Sequence, residues 1–376
     1  MKIIASAQKA PGQARQRSRP AHRGAPPHGG EDRVQLSRSG RGWDRARETT
    51  SLRLVAGDTR TVDLPDLRFH KVDHVVVQNH NDPELLLKIL KSPDMPRGAT
   101  VVTTELSLLP LDGPLKSRLE SLYDLSQACK KDSGLAEQLE RDRKQLRDEL
   151  VDFYAGNAAT GGVPREFLEV ARQKELTLWL GLPRYEAKTE RLYNSLVCVR
   201  NGRVVDHHDK TLLWAGSPDL KVSDTLVFSP AERWDDHRND YHTALICWEA
   251  FNINQSFGKP TRMPGVAEEF AQVPSDQFGI AYISAYAPVN DGRALRSSMG
   301  RFVRRDDDKN ITLGPHGGLA FIANGPVEAA IMGPYEEPES PHRKADLYGS
   351  TRADGIIHAR SLKNGQLEVR CYTVSA

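Results

Sequence analysis

The tripeptide Arg200-Asn201-Gly202 lies between two β-prone runs, "YNSLVCV" and "RVVDHHDK", and constrains this chain more than any other stretch. Asn-Gly supplies the two positive φ angles of a tight hairpin, so the runs read as adjacent antiparallel strands. Upstream the pattern differs. "HVVVQ" (74–78) and "ATVVTTEL" (99–106) flank "NDPELLLKIL", where Asn81 or Asp82 caps a helix with Pro83 in its first turn. A β-α-β crossover followed by a hairpin requires a mixed sheet covered by helices, which places the chain in the α/β class.

The rest of the chain continues that alternation. Residues 115–155 have apolar positions three and four apart and read as two helices divided by Gly134, and "VPREFLEVARQK" is a third helix entered through Pro164. "LTLWLGLP" (176–183) leads into the hairpin, and further strands are expected at "TLVFS", "YHTALIC", "FGIAYISAY", "GLAFIANG", "EAAIMG", "GIIHARSL" and "LEVRCYTV". Helices are expected near 264–272 and 292–305. No internal repeat and no Pro/Gly-rich linker follows residue 70, so residues 66–376 read as one domain.

Charge divides the chain unevenly. Residues 1–60 carry thirteen Lys and Arg against five Asp and Glu, a net +8, whereas the whole chain is +2. Residues 1–65 are rich in Arg, Gly and Pro and too poor in apolar area to offset their ordering entropy, so they read as a disordered basic arm. Such an arm is either a plain solvated extension or a tether to nucleic acid or another acidic surface. No stretch reaches the ~18 apolar residues of a membrane span, and the N-terminus lacks the apolar core of a secretory signal, so the expected location is cytoplasmic.

Cys129, Cys198, Cys247 and Cys371 are scattered without a C-x-x-C pair, which argues against a zinc ribbon or a disulfide scaffold. Cys198 alternates with Leu196 and reads as core. "VDHHDK" invites a metal reading, but adjacent strand residues point to opposite faces, so His207 and His208 cannot readily share one ion. "GGLAFIANG" has neither a phosphate-loop lysine nor Gly-x-Gly-x-x-Gly, so no nucleotide cofactor is expected, and no metal.

Three segments each end a strand on a chemically capable residue: "VVTTELSLLP" on Glu105, "GRVVDHHDKTLL" on Lys210, and "HTALICWEAF" on Cys247. Taken singly, a solvated Glu, a surface Lys and a small buried Cys would explain them. In this order they resemble the nitrilase, or carbon–nitrogen hydrolase, superfamily, as do "NSLVCVRNGRVVDHHDKTLL" and "LYGSTRADGIIHARS". The resemblance runs from about residue 70 to the C-terminus. It implies a four-layer αββα sandwich, a Cys247 nucleophile, Glu105 as base, Lys210 as oxyanion stabiliser, and the backbone N–H of Trp248 beside it.

It also implies a small-molecule amide or nitrile substrate, amide before nitrile, with no cofactor, and a homodimer or larger homo-oligomer. The chain departs from the family's pattern between Lys210 and Cys247, where many members carry a second Glu. Here only Asp219 and Asp224 are near, with Glu232 further on, and Asp219 is the auxiliary candidate. Glu249 is read as bonding within the turn after Cys247, structural before chemical. The competing reading is a catalytically inert nitrilase-like binding module tethered to nucleic acid or a partner by its basic arm.

Overall fold

Among the described residues of the computed structural model, thirteen strands fall into two sheets, with helices interleaved. The structure describes residues 55–61, 72–78, 81–93, 95–109, 114–216, 221, 223–232, 242–253, 279–286, 318–324, 328–332, 347–348, 356–364 and 367–375. The larger sheet has the order β1-β12-β13-β2-β3-β4-β5-β6 and the smaller the order β11-β10-β9-β8-β7. In the larger sheet β1 is Val55–Thr61, β2 Val72–Gln78, β3 Thr100–Thr103, β4 Thr177–Glu186, β5 Arg191–Arg200, β6 Arg203–Asp209, β12 Ile356–Asn364 and β13 Leu367–Ser375. In the smaller, β7 is His242–Ile246, β8 Gly279–Ala285, β9 Gly318–Asn324, β10 Glu328–Met332 and β11 Leu347–Tyr348.

The β-α-β start and the hairpin are both present. β2 and β3 pair in parallel across α1 (Pro83–Lys91), and β5 and β6 pair antiparallel across a turn with Asn201 at φ 53° and Gly202 at φ 73°. Asp82 caps α1 by accepting from the Leu85 amide at 3.0 Å. One face of α1 (Leu86, Ile89, Leu90) and one face of α4, Arg165–Gln173 (Phe167, Val170, Ala171), pack on Val75, Val77, Val101, Leu178 and Leu180 of the larger sheet. Each such Leu or Ile removed from water contributes about 1.5 to 3 kcal/mol.

Side chains alternate along these strands, so the neighbours of that apolar set face the other way. His74 stacks on Phe321 of β9 with ring centroids 4.1 Å apart, and Trp179 stacks on Tyr282 of β8 at 5.6 Å. Ser284 on β8 donates to the Thr103 carbonyl on β3 at 2.8 Å. The two sheets therefore face each other through a buried aromatic layer. Helices α2 (Pro114–Cys129) and α3 (Ala136–Gly156) contribute Leu119, Leu122, Leu146 and Leu150 to a second apolar cluster with Leu106, Leu109, Val227 and Phe228.

β6 carries an irregularity. Arg200 pairs Arg203 and Val199 pairs Val204, but Cys198 then pairs Asp206, leaving Val205 as an extra residue, 53% exposed. Beyond this bulge Ser195 faces Asp209 and accordingly donates to its carboxylate at 2.5 Å.

Three readings need correction or limits. "TLVFS" is not a strand: Asp224–Leu226 form a 3₁₀ turn whose carbonyls and amides bond within the loop, while Val227 and Phe228 enter the core. β1 lies inside the span that composition assigned to the arm and pairs antiparallel with β12, so residues 1–65 include a strand. The remainder of that arm and the helices expected at 264–272 and 292–305 lie outside the described residues.

Candidate active site

Glu105, Lys210 and Cys247 sit where β3, β6 and β7 end, the first two on the larger sheet and the third on the smaller. Glu105 occupies a turn that the surrounding backbone holds from several sides. Asn81 donates to the carbonyls of Glu105 and Leu106, each at 2.7 Å, and the Leu108 amide donates to the Gly181 carbonyl at 3.0 Å. Gly181 is needed here because a Cβ would stand 2.5 Å from the Leu106 nitrogen and 2.7 Å from the Thr104 oxygen. The base candidate is thus seated by close backbone packing against β4.

Lys210 is fully buried, and its ammonium donates to Glu105 Oε1 and to Asp224 Oδ2, both at 2.6 Å. Asn194 on β5 completes the cluster, donating to Glu105 Oε1 at 2.7 Å and to Asp224 Oδ1 at 3.4 Å. Two carboxylates share one ammonium. Burial penalises the charged form of Glu105 and Asp224 repels it; together they outweigh Lys210, and its proton affinity rises above the ordinary carboxylate value. For Lys210 burial works against the charge, but Asp224 and Glu105 outweigh it and hold the ammonium well above its usual range.

Cys247 joins β7 to the short helix α5 (Trp248–Asn252) at φ 45° and ψ −100°, a conformation that costs a residue bearing a Cβ on the order of 1 to 3 kcal/mol. Its amide donates to the Ser284 carbonyl at 2.8 Å, extending the β7–β8 ladder up to the nucleophile candidate. Burial raises the thiol's proton affinity well above the ordinary value and Glu105 adds to this, while Lys210 and a hydrogen bond from the Tyr286 backbone oppose it. Among charges Glu105 weighs most on this thiol. The resting group is the neutral thiol, beside a carboxylate of raised basicity. Trp248 opens α5, where the first-turn amides have no intrahelical acceptor.

Glu249 is completely buried and accepts four hydrogen bonds, from His208, Ile246 and both donors of Thr211. His208 thus pairs with a carboxylate, and His207 lies 3.8 Å from Asp209 on the opposite face. Among the described residues no group of three or more His, Cys, Asp or Glu could hold a metal ion. Cys198 is buried in the core, its thiol pushed up to about 12 by burial. Asp219 lies outside the described residues; among these, the carboxylate that joins Glu105 on Lys210 is Asp224, and Asn194 joins them without having been singled out. A polar Asn inside a strand as apolar as "YNSLVCV" is the signal that marks it, because burying an amide without partners is costly.

No family model matches the chain, and no curated protein matches it. Among solved structures it is similar to Nit3 of Saccharomyces cerevisiae, a member of branch 10 of the nitrilase superfamily, with 12% identity over 83% of this chain and 93% of that one and a TM-score of 0.43. It is similar also to an amidase from Nesterenkonia sp. AN1 (13% identity, 82% and 92% covered, TM-score 0.40) and to the CN-hydrolase superfamily protein XC1258 from Xanthomonas campestris (11%, 82% and 92%, TM-score 0.37). Of these neighbours, Nit3 is described as a nitrilase-superfamily member and XC1258 as a CN-hydrolase superfamily protein. What the site of this chain does chemically follows from its own residues. Among the described residues no helix is long and apolar enough to cross a membrane.

Proposed function

We propose that this chain is a thiol-dependent carbon–nitrogen hydrolase of the nitrilase superfamily, acting on a small non-peptide amide in preference to a nitrile. One observation carries the reading: a buried thiol at a strained strand-to-helix turn shares its site with a buried ammonium and a carboxylate of raised basicity. As Cys247 Sγ attacks the substrate carbon, Glu105 takes the thiol proton, and the oxygen that gains charge is met by the Lys210 ammonium and the Trp248 N–H. Glu105 returns that proton to the leaving nitrogen, the C–N bond breaks, and a thioester remains on Cys247. Water then attacks the thioester with Glu105 again accepting a proton, releasing the acid and the thiol. Asp224 stays paired with Lys210 throughout, and keeps the charge on Glu105 unfavourable enough for it to act as a base.

The test is ammonia or amine release from a panel of small amides, nitriles and carbamoyl compounds, compared between the wild type and Cys247→Ala. Turnover by the wild type alone, with a substrate-derived mass on the Cys247 peptide of the acid-quenched wild type that is missing from Glu105→Gln, supports the reading. Turnover retained by Cys247→Ala overturns it, as does the absence of both turnover and adduct across the panel.

A further inference from the structure

We infer that Glu249 is a positioning residue that locks the strand end carrying Lys210 to the turn carrying Cys247. The inference rests on the hydrolase reading and adds to it a device that sets the spacing of ammonium and thiol.

The geometry is unusually complete. Glu249 Oε1 accepts from the Thr211 amide at 2.7 Å and the Thr211 hydroxyl at 2.8 Å. Its Oε2 bonds His208 Nε2 at 2.7 Å and accepts from the Ile246 amide at 2.8 Å. His208 and Thr211 flank Lys210 in the chain, while Ile246 and Glu249 flank Cys247. One side chain therefore holds both neighbourhoods, and it does so across the boundary between the two sheets.

Chemistry excludes the other role for this carboxylate. A carboxylate offers about four acceptor sites, and here four donors occupy them, so Glu249 has no lone pair left to take a proton from thiol, water or substrate. The His208 pairing and the two backbone amides also hold its proton affinity below the ordinary carboxylate value despite full burial. It stays charged where Glu105 does not readily do so. The cost of the positive φ at Cys247 must be met by surrounding bonds, and the Ile246–Glu249 bond closes the turn directly over that residue.

Loosening this lock moves Lys210 away from the thiol, and Lys210 is the cation that lowers the thiol's proton affinity. The readout is the pH dependence of Cys247 alkylation by iodoacetamide, followed peptide by peptide in the full chain, together with thermal melting. In Glu249→Gln, where an amide N–H2 must confront N–H donors, the alkylation midpoint is expected to rise by about one pH unit, a tenfold loss of rate below it. Thr211→Val removes a single donor and keeps the Thr211 amide; it is expected to fold and to move the midpoint the same way by less. His208→Gln still presents an N–H to Glu249 and is expected to stay near the wild-type profile. A lowered melting temperature in Glu249→Gln and Thr211→Val with the Cys247 midpoint unmoved would overturn the inference, reducing Glu249 to a fold-stabilising group. Should Glu249→Gln not fold, Thr211→Val decides alone. Alkylation needs no substrate, so a failure of every amide and nitrile to turn over sinks the hydrolase reading and leaves this measurement intact.

Discussion

Replacing Asp224 by Asn separates a catalytic contribution from a structural one because it drives two rates in opposite directions. The Asn oxygen can stay on the Lys210 ammonium and the Trp214 amide, now 2.6 and 3.1 Å from Asp224 Oδ2, so the shape of the site survives. What is lost is one negative charge, together with the long 3.4 Å bond that Asn194 donates to Asp224 Oδ1. Glu105 remains as the counterion of Lys210 at 2.6 Å, so the cation is not stranded, and the loss is that of a charged hydrogen-bond partner, roughly 1.5 to 3 kcal/mol of stability. Asp224 raises the proton affinity of both Glu105 and Cys247, so its removal lowers both.

A more acidic thiol is more often a thiolate. Half a pH unit corresponds to about a threefold gain in Cys247 alkylation at neutral pH. A less basic Glu105 is a poorer base, and one unit of lost proton affinity is worth about 1.4 kcal/mol, so hydrolysis is expected to fall by about tenfold. The acid limb of kcat/KM should move to lower pH, since that limb follows the protonation of Glu105. Alkylation measured by mass spectrometry and hydrolysis measured on the amide found by screening supply the two rates. A parallel fall in both, with the acid limb unmoved, would refute the assignment of Asp224 to the charge balance of the site.

Two further outcomes test the same arrangement. Lys210→Ala leaves Glu105 and Asp224 buried without a cation, which costs about 3 to 5 kcal/mol near neutrality; Glu105, already raised, rises further, so its contribution is present in mild acid and lost as pH climbs through the raised folded value, and urea midpoints should fall from pH 5 to pH 8 more steeply than in the wild type. Gly181→Ala forces a methyl against the backbone of the Glu105 turn, an overpacking cost of about 1 to 3 kcal/mol; kcat should drop while melting falls only modestly, and an unchanged kcat would show that the seat of Glu105 is not critical.

Local signals were readable wherever the chemistry is local. Asn201-Gly202 announced the hairpin because only positive φ closes it, and Asp82 with Pro83 announced α1 because capping is decided within four residues. "TLVFS" misled because a short apolar run carries no period, and its Leu, Val and Phe are buried from a 3₁₀ turn as readily as from a strand. Asp219 is the auxiliary candidate on sequence, and nothing in one loop reveals which carboxylate folds back on Lys210; the bonds of Asp224 to Trp214 hold Asp224 there, while Asp219 lies outside the described residues. The pairing of His208 with Glu249, 41 residues apart, depends on two sheets meeting and left no mark in either segment.

The extra residue in β6 fixes more than a kink. With Val205 in place, His208 pairs Leu196, the Lys210 amide donates to the Asn194 carbonyl at 2.9 Å, and the lysine side chain enters the cluster. Keep every residue but flatten the bulge, and a regular ladder from the same turn would bring Asp209, not Lys210, opposite Asn194, since a one-residue slip exchanges the faces of a strand. The site would then receive an anion where it now holds a cation, beside two carboxylates already short of one counter-charge. The register beyond the bulge is therefore a chemical specification: the parity of the extra residue sets the sign of the charge delivered, whereas deleting Val205 itself would straighten the strand and leave Lys210 opposite Asn194.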